Sequence, residues 1–379
     1  AANRGDLKSL YQSTKILSRK FVDYNCPIRD KDGILLTNEG DQLSRWKQYF
    51  EDLLNRNSGN INDANQGLQG DIDLGININI EPPDLNEIKV ALKQTKAGTS
   101  PGKDQIIPEI MISDIDTSAS ILLPLFRKVW NKEEIPGDWK DGIIVKIPKK
   151  GDKSRCENWR GISLLSTPGK VFTRVILNRI GGILETYLRK EQAGFRKNRS
   201  CIDQINTLRL IIEQSAEWNT TLYATFVDFE QAFDSLNHEY IWQVLKKYGF
   251  PEKIIRIIKE IYNGYSCQVL HNGKLTQPIP VKSGVRQGCI LSPILFILVL
   301  DDIMNLVTKD QARGIKWNMF ESLEDLDYAD DICLLSQRFD HMQEKVNSLQ
   351  LKSSLAGLKI NIKKTKELRI NSRTSKQLL

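Results

Sequence analysis

The sequence has 379 residues, room for two or three domains at about 150 residues each, and its 40% hydrophobic content supports a sizeable core. Lys and Arg number 54 against 47 Asp and Glu, a formal net charge of +7. Six scattered Cys with no CxxC pair argue against a zinc site or a disulfide framework, and three His leave little room for a His-rich metal centre.

Residues 1–56 are expected to be helical and amphipathic, ending in 41–54, where Leu43, Trp46, Phe50, Leu53 and Leu54 share one face. The Asn-, Gly- and Gln-rich stretch that follows reads as a linker or long surface loop, 57–84 in the domain division. Pro82-Pro83-Asp84 opens a helix with Asp84 as N-cap and Glu87 completing a capping pattern, and the compact domain starts here. Residues 142–147 form a β-branched strand candidate, stopped by Pro148 and the turn Lys149-Lys150-Gly151-Asp152. Helical periodicity runs over 170–188, and a strand over 222–227 ends at Asp228. A helix over 238–248 is closed by Gly249 and Pro251. A hairpin over 268–275 turns at Asn272-Gly273, and an apolar helix over 292–306 begins at Ser292-Pro293. Strands and helices mix without regular βαβ alternation, so the fold class is α+β.

The longest apolar run, 290–300, is broken by Ser292-Pro293 and too short to span a bilayer. No targeting segment is seen, and the Cys usage fits a reducing compartment, so an intracellular place, nucleus or cytoplasm, is expected without a membrane. The charge is uneven. Residues 127–209 carry 19 Lys and Arg against 9 Asp and Glu, a net of +10, so the remainder nets −3. Such a middle is either a face built for phosphates or a solvated surface.

Two acidic sites stand out. Asp228 ends an apolar strand, and Asp330 and Asp331 lie in a turn before Ile332-Cys333-Leu334-Leu335. Acidic turns are usually only turns, because Asp is favoured there. Charge placed beside a core, however, needs compensation, and a divalent cation can supply it. Mg²⁺ takes one or two carboxylates plus substrate phosphates, and a pair of ions can clamp both oxygens of an in-line phosphoryl transfer. Asp228 and Asp330 stand 102 residues apart, so only the fold could unite them.

At these residues the chain resembles the reverse transcriptases of non-LTR (LINE-type) retrotransposons. Tyr328-Ala329-Asp330-Asp331 looks like their catalytic box, FVDFEQAF (226–233) like their first catalytic motif, and GVRQGCILSP (284–293) like the motif beside the incoming nucleotide. IPKKGD and CENWRGISLLS within 139–166, QAGFRKNRSCIDQI (192–205) and GLKINIKKTK (357–366) are similar to further motifs, and SPGKDQIIPE (100–109) to an extra upstream one. They follow family order from about residue 85 to 370.

The resemblance implies a right-hand polymerase with fingers over 85–220, a palm over 221–379 and some interleaving of the two. It implies an RNA-directed DNA polymerase that uses dNTPs and two Mg²⁺ to extend a DNA 3′-hydroxyl on an RNA template. Asp228 and Asp330 would be the principal metal ligands, with Asp331 either supporting them or capping the turn. Lys149 and Arg160 would hold the triphosphate, and Gln287 and Gly288 would shape the nucleotide pocket. Phe233 would bar a ribose 2′-hydroxyl, or simply start a buried helix. Tyr328 would lie under the primer end, or pack in the core. Lys364 would protonate the pyrophosphate, with Lys363 and Lys366 as rivals. Cys289 stands where many relatives carry Asp, which reads as subgroup variation. The primer in such relatives is a nicked chromosomal end, and an endonuclease lies upstream of the polymerase. The start without Met and the end soon after Lys364 lead to the expectation of a lost or separate upstream segment and a thumb truncated or absent. Two rival readings remain: a nucleic-acid-binding remnant of a decayed element, and an RNA-dependent RNA polymerase, against which Phe233 and the YADD box argue. The sequence leaves the oligomeric state open.

Overall fold

The computed structural model describes residues 26–56, 77–309, 312–317 and 321–372, with Thr374 and Leu378. Residues 1–25, and with them most of the expected N-terminal helix, lie outside the described residues. Where description begins, the helical expectation is corrected: β1 (Ile28–Arg29) pairs antiparallel with β2 (Leu35–Leu36). The local cause is an Asx turn, in which Asp30 Oδ1 accepts from the backbone N–H of Asp32 (2.9 Å) and of Ile34 (2.8 Å). The helix then runs over Glu39–Leu54, capped by Asn38, and buries Trp46, Tyr49, Phe50 and Leu53.

This helix is stitched to the body by a buried polar relay. Lys146 Nζ lies 4.5 Å from the centroid of the Trp46 ring and 2.6 Å from His271 Nδ1. His271 Nε2 donates to Gln42 Oε1 at 2.8 Å, which leaves Nδ1 as the acceptor facing Lys146. Of the expected linker, residues 57–76 lie outside the described residues. Residues 77–84 are mostly exposed but anchored, with Ile78 buried and Ile80 O accepting from Trp130 Nε1 at 2.8 Å. Helix Leu85–Lys93 opens with the expected capping box between Asp84 and Glu87.

Two sheets carry the rest. In the first, β3 (Asp141–Pro148) pairs antiparallel with β4 (Trp159–Leu164) and parallel with β6 (Ser266–His271). β7 (Lys274–Leu275) and β8 (Ile279–Pro280) pair antiparallel with β6. The turn between β6 and β7 falls on Asn272 and Gly273, both at positive φ, as a tight primed turn requires. In the second sheet, β5 (Leu222–Val227) is central. The small pair β9 (Ile315–Lys316) and β10 (Ser322–Leu323) precedes β11 (Asp325–Tyr328) and β12 (Asp331–Ser336), and the order is β11-β12-β5-β13, with β13 spanning Lys366–Ile370.

The apolar runs in β5 and β12 are explained by burial on both faces. Leu222, Ala224, Cys333 and Leu335 join the cluster around Ile211 of helix Cys201–Glu217. Tyr223, Val227, Ile332 and Leu334 join the main core, on the side of helix Phe339–Leu355. Helix Ser292–Thr308 is buried at nearly every position from Leu295 to Met304 and packs on helices His238–Lys247 and Phe339–Leu355. The α+β class is therefore observed. Register does the positioning: Val227 pairs with Ile332, which brings the end of β5 beside the β11–β12 turn.

Candidate active site

The β11–β12 hairpin pairs Tyr328 with Asp331, so its tight turn consists of Ala329 and Asp330. Asp228 follows the last residue of β5 and reaches this turn from the neighbouring strand. Burial, with the negative charges of Asp331 and Asp228, holds the Asp330 carboxyl above its ordinary range, against a backbone hydrogen bond and Arg160. The distant Asp228 and the adjacent Asp331 therefore both act on Asp330 in space. Asp228 Oδ2 is buried and accepts no hydrogen bond. The counter-charge to that same oxygen is Lys364 Nζ at 3.3 Å, on a side chain 70% exposed.

The loop that carries Lys364 is tied down around Asp228. Asn361 N donates to Asp228 O (2.7 Å), Glu230 N to Lys359 O (2.8 Å), and Asp228 N to Thr365 Oγ1 (3.3 Å). Lys363 and Lys366 are exposed, and the ion pair to Asp228 belongs to Lys364. Across the site, Ile147 pairs with Arg160 in the β3–β4 hairpin, and Lys149 Nζ donates to Glu157 O at 3.1 Å. Burial holds the Lys149 ammonium below its usual range, with Arg160 and Lys364 pushing the same way and Asp234 opposing. Lys149, Arg160 and Lys364 thus share one electrostatic neighbourhood with the carboxylates.

The GVRQG loop forms a third wall. Gly288 has φ +120°, and a Cβ there would run into the Ser163 carbonyl, so glycine is required on two counts. Ser163 N donates to Gln287 O at 2.6 Å, which fastens the loop to β4. Gln287 Nε2 donates to both carboxylate oxygens of Asp234, at 2.8 and 2.7 Å. Burial pushes the Asp234 carboxyl up to about 6, opposed by Gln287, Lys149, Arg56 and Arg160. The sequence reading passed over Asp234, although it directly follows Phe233. Phe233 is half-buried, stacked on Phe296 at 4.4 Å between centroids and edge-on to Phe195 at 6.2 Å. Tyr328 is 37% exposed at the end of β11, which sets aside its core-packing alternative. Cys289 is buried.

Among the described residues no group of three His, Cys, Asp or Glu is arranged to hold a metal ion unaided. The donor set nevertheless fits a hard cation that arrives with substrate phosphates: crowded carboxylates, one with a buried oxygen that accepts no hydrogen bond and faces only an exposed ammonium. Among the described residues no helix is long and apolar enough to cross a membrane.

Residues 147–377 match the family described as Reverse transcriptase (RNA-dependent DNA polymerase). The chain belongs to that family. Its fold is the right-hand polymerase fold, and the family as a whole works with divalent metal ions. Among curated relatives, the transposon TX1 uncharacterized 149 kDa protein of Xenopus laevis is 27% identical over 76% of this chain and 22% of its own length. The probable RNA-directed DNA polymerase from transposon BS of Drosophila melanogaster is 27% identical over 94% of this chain and 40% of its own. The Pol polyprotein of the type-2 retrotransposable element R2DM, also of Drosophila melanogaster, is 26% identical over 75% of this chain and 26% of its own. The resemblance to retrotransposon reverse transcriptases therefore holds, and this chain spans well under half the length of these relatives. A solved structure of telomerase from Candida tropicalis aligns with 62% of this chain and 51% of its own, at 19% identity and a TM-score of 0.46.

Proposed function

We propose that this chain is the polymerase core of a non-LTR retrotransposon enzyme, adding dNTPs to a DNA 3′-hydroxyl on an RNA template. The observation that carries the proposal is the convergence of Asp228 with the Asp330–Asp331 turn, where Asp228 Oδ2 is buried with only the exposed Lys364 ammonium to balance it. Asp228 and Asp330 are the principal ligands of two Mg²⁺, and Asp331 supports them from its exposed position. When bound, the ions supply charge neutralisation at the attacking and leaving oxygens.

The chain's own groups do the rest. Lys149 and Arg160 hold the triphosphate, Arg160 through its bidentate fork. Gln287, fixed by Asp234, and Gly288 shape the nucleotide pocket. Phe233, braced by Phe296, leaves no room for a 2′-hydroxyl. Tyr328 offers an aromatic face to the primer end. Lys364 sits on an exposed stem beside Asp228 and gives a proton to the departing pyrophosphate. Fingers over 85–220 and a palm over 221–379 suit this division, with interleaving where β3 and β4 share a sheet with β6, from beyond residue 220.

The test is primer extension on poly(rA)/oligo(dT) with Mg²⁺, offering dTTP and UTP separately. Incorporation of dTTP in preference to UTP is expected. A well-folded chain that binds the duplex and incorporates nothing would be the binding remnant, and a preference for UTP would make it an RNA polymerase.

A further inference from the structure

The catalytic turn contains a backbone conformation its sequence does not favour. Ala329 has φ +57°, the left-handed region where a Cβ crowds the backbone and where glycine or asparagine is the usual choice. Such a residue persists where its surroundings over-determine it. Here one side chain meets both polar groups of that residue. Ala329 N donates to Gln192 Oε1 at 2.8 Å, and Gln192 Nε2 donates back to Ala329 O at 3.2 Å. A single carboxamide thus satisfies both polar groups of the strained residue, from 137 positions away. Gln192 is 1% exposed, and its Oε1 also accepts from Gly194 N at 2.8 Å, which fixes the amide's orientation.

The segment that presents Gln192 is itself fastened to the hairpin. Ala193 N donates to Asp327 O (3.0 Å), Asp327 N to Glu191 O (3.1 Å), and Gln204 Nε2 to Asp327 O (3.0 Å). Arg189 pairs with the buried Asp325 and Asp327. Arg196 Nη1 donates to Gln192 O at 2.9 Å while its guanidinium grips Glu185. Gly194 lies so close to Ala329 that a Cβ would overlap its backbone. The strap meets the turn at the residue immediately before Asp330.

We infer that Gln192 is a positioning residue for the polymerase reaction: by holding both backbone groups of Ala329, it sets the left-handed turn that aims Asp330 and Asp331 at Asp228. This rests on the proposed metal-binding role of those carboxylates. Gln192→Met keeps the side chain's length and apolar volume while removing both hydrogen bonds. In the full chain it should lower kcat for dTTP incorporation on poly(rA)/oligo(dT) by about 10–100-fold, as small misplacements of reacting groups do. The Mg²⁺ concentration for half-maximal rate should rise, with KM for dTTP little changed. Adding Ala329→Gly, which accepts positive φ without strain, should restore part of the lost kcat. Amide hydrogen exchange supplies a readout that needs no activity: Gln192→Met should speed exchange across 325–334 and leave β13 unchanged.

Unchanged exchange over 325–334 would overturn the inference, whatever the activity. So would a loss of kcat with wild-type Mg²⁺ dependence and no rescue by Ala329→Gly, since that marks a role in stability alone. A wild-type chain that extends no primer would sink the polymerase reading instead, and the exchange result would still decide whether Gln192 sets the turn.

Discussion

Replacing Phe233 by alanine separates the ring's packing role from its proposed part in choosing the sugar. The ring is half-buried, stacked on Phe296 at 4.4 Å with the planes 11° apart, and edge-on to Phe195. A fully buried Phe→Ala change costs about 3–5 kcal/mol. Half burial, with an aromatic pair worth about 0.5–1.5 kcal/mol, brings the expected loss to about 2 kcal/mol. In a chain of this size that lowers Tm by only a few degrees, so the variant should stay folded at assay temperature. A pocket that excludes a group by shape alone discriminates by roughly 10–200-fold. The ratio of kcat/KM for dTTP to that for UTP should therefore fall by about that factor, chiefly through better use of UTP. Primer extension with each nucleotide, beside a melting curve, measures both quantities. An unchanged ratio in a folded Phe233→Ala chain would refute the steric argument and leave the ring as packing against Phe296.

Further outcomes follow from the same geometry. Asp234→Asn leaves Gln287 Nε2 facing an amide in place of two carboxylate oxygens, so KM for dNTP should rise by about ten-fold. In the unmodified chain the same KM should climb as pH falls through about 6, where Asp234 takes up a proton, and the Asn variant should lack that inflection. Burial lowers Lys146 from 10.5 to about 8. Between those pH values the unfolded chain binds the extra proton, so stability rises with pH across that window. Lys146→Met should flatten this part of a melting-temperature profile. His271, lowered from 6.5 to about 4 by burial and by Lys146, adds a separate loss of stability as pH falls through that lower range. Finally, affinity for an RNA/DNA duplex should fall by about 10²-fold or more between 50 and 200 mM salt if the +10 stretch grips phosphates, and a flat response would refute that use of the charge.

What could be read in advance was local. The Asp84–Glu87 capping box spans only four residues, Asn272-Gly273 specifies its own turn, and the apolar runs of β5 and β12 announce strands buried on both faces. The hairpin at Ile28–Leu36 was equally local, but Asp30 and Gly33 were passed over inside a stretch taken as helix. Other parts of the site depend on partners far along the chain. Asp325 and Asp327 flank Leu326 like solvent-facing strand residues, yet both are buried because Arg189 comes from 136 and 138 positions away. Asp234 gains its meaning from Gln287, 53 positions on, and Gln192 from Ala329. Motif resemblance supplied the residues proposed to hold metal and to line the nucleotide pocket. It gave no hint of the side chains that hold them still, because those bonds depend on tertiary register.

The central claim is that Asp228 and the Asp330 turn form one metal-holding site for nucleotidyl transfer. Single-turnover addition of dTMP to an RNA-templated DNA primer, with Asp228→Asn and Asp330→Asn beside the unmodified chain, tests it most directly. Each substitution preserves shape and removes one charge, and either should slow the chemical step by about 10²–10³-fold or more while duplex binding is retained. Addition by either folded variant at a rate close to that of the unmodified chain would contradict the account.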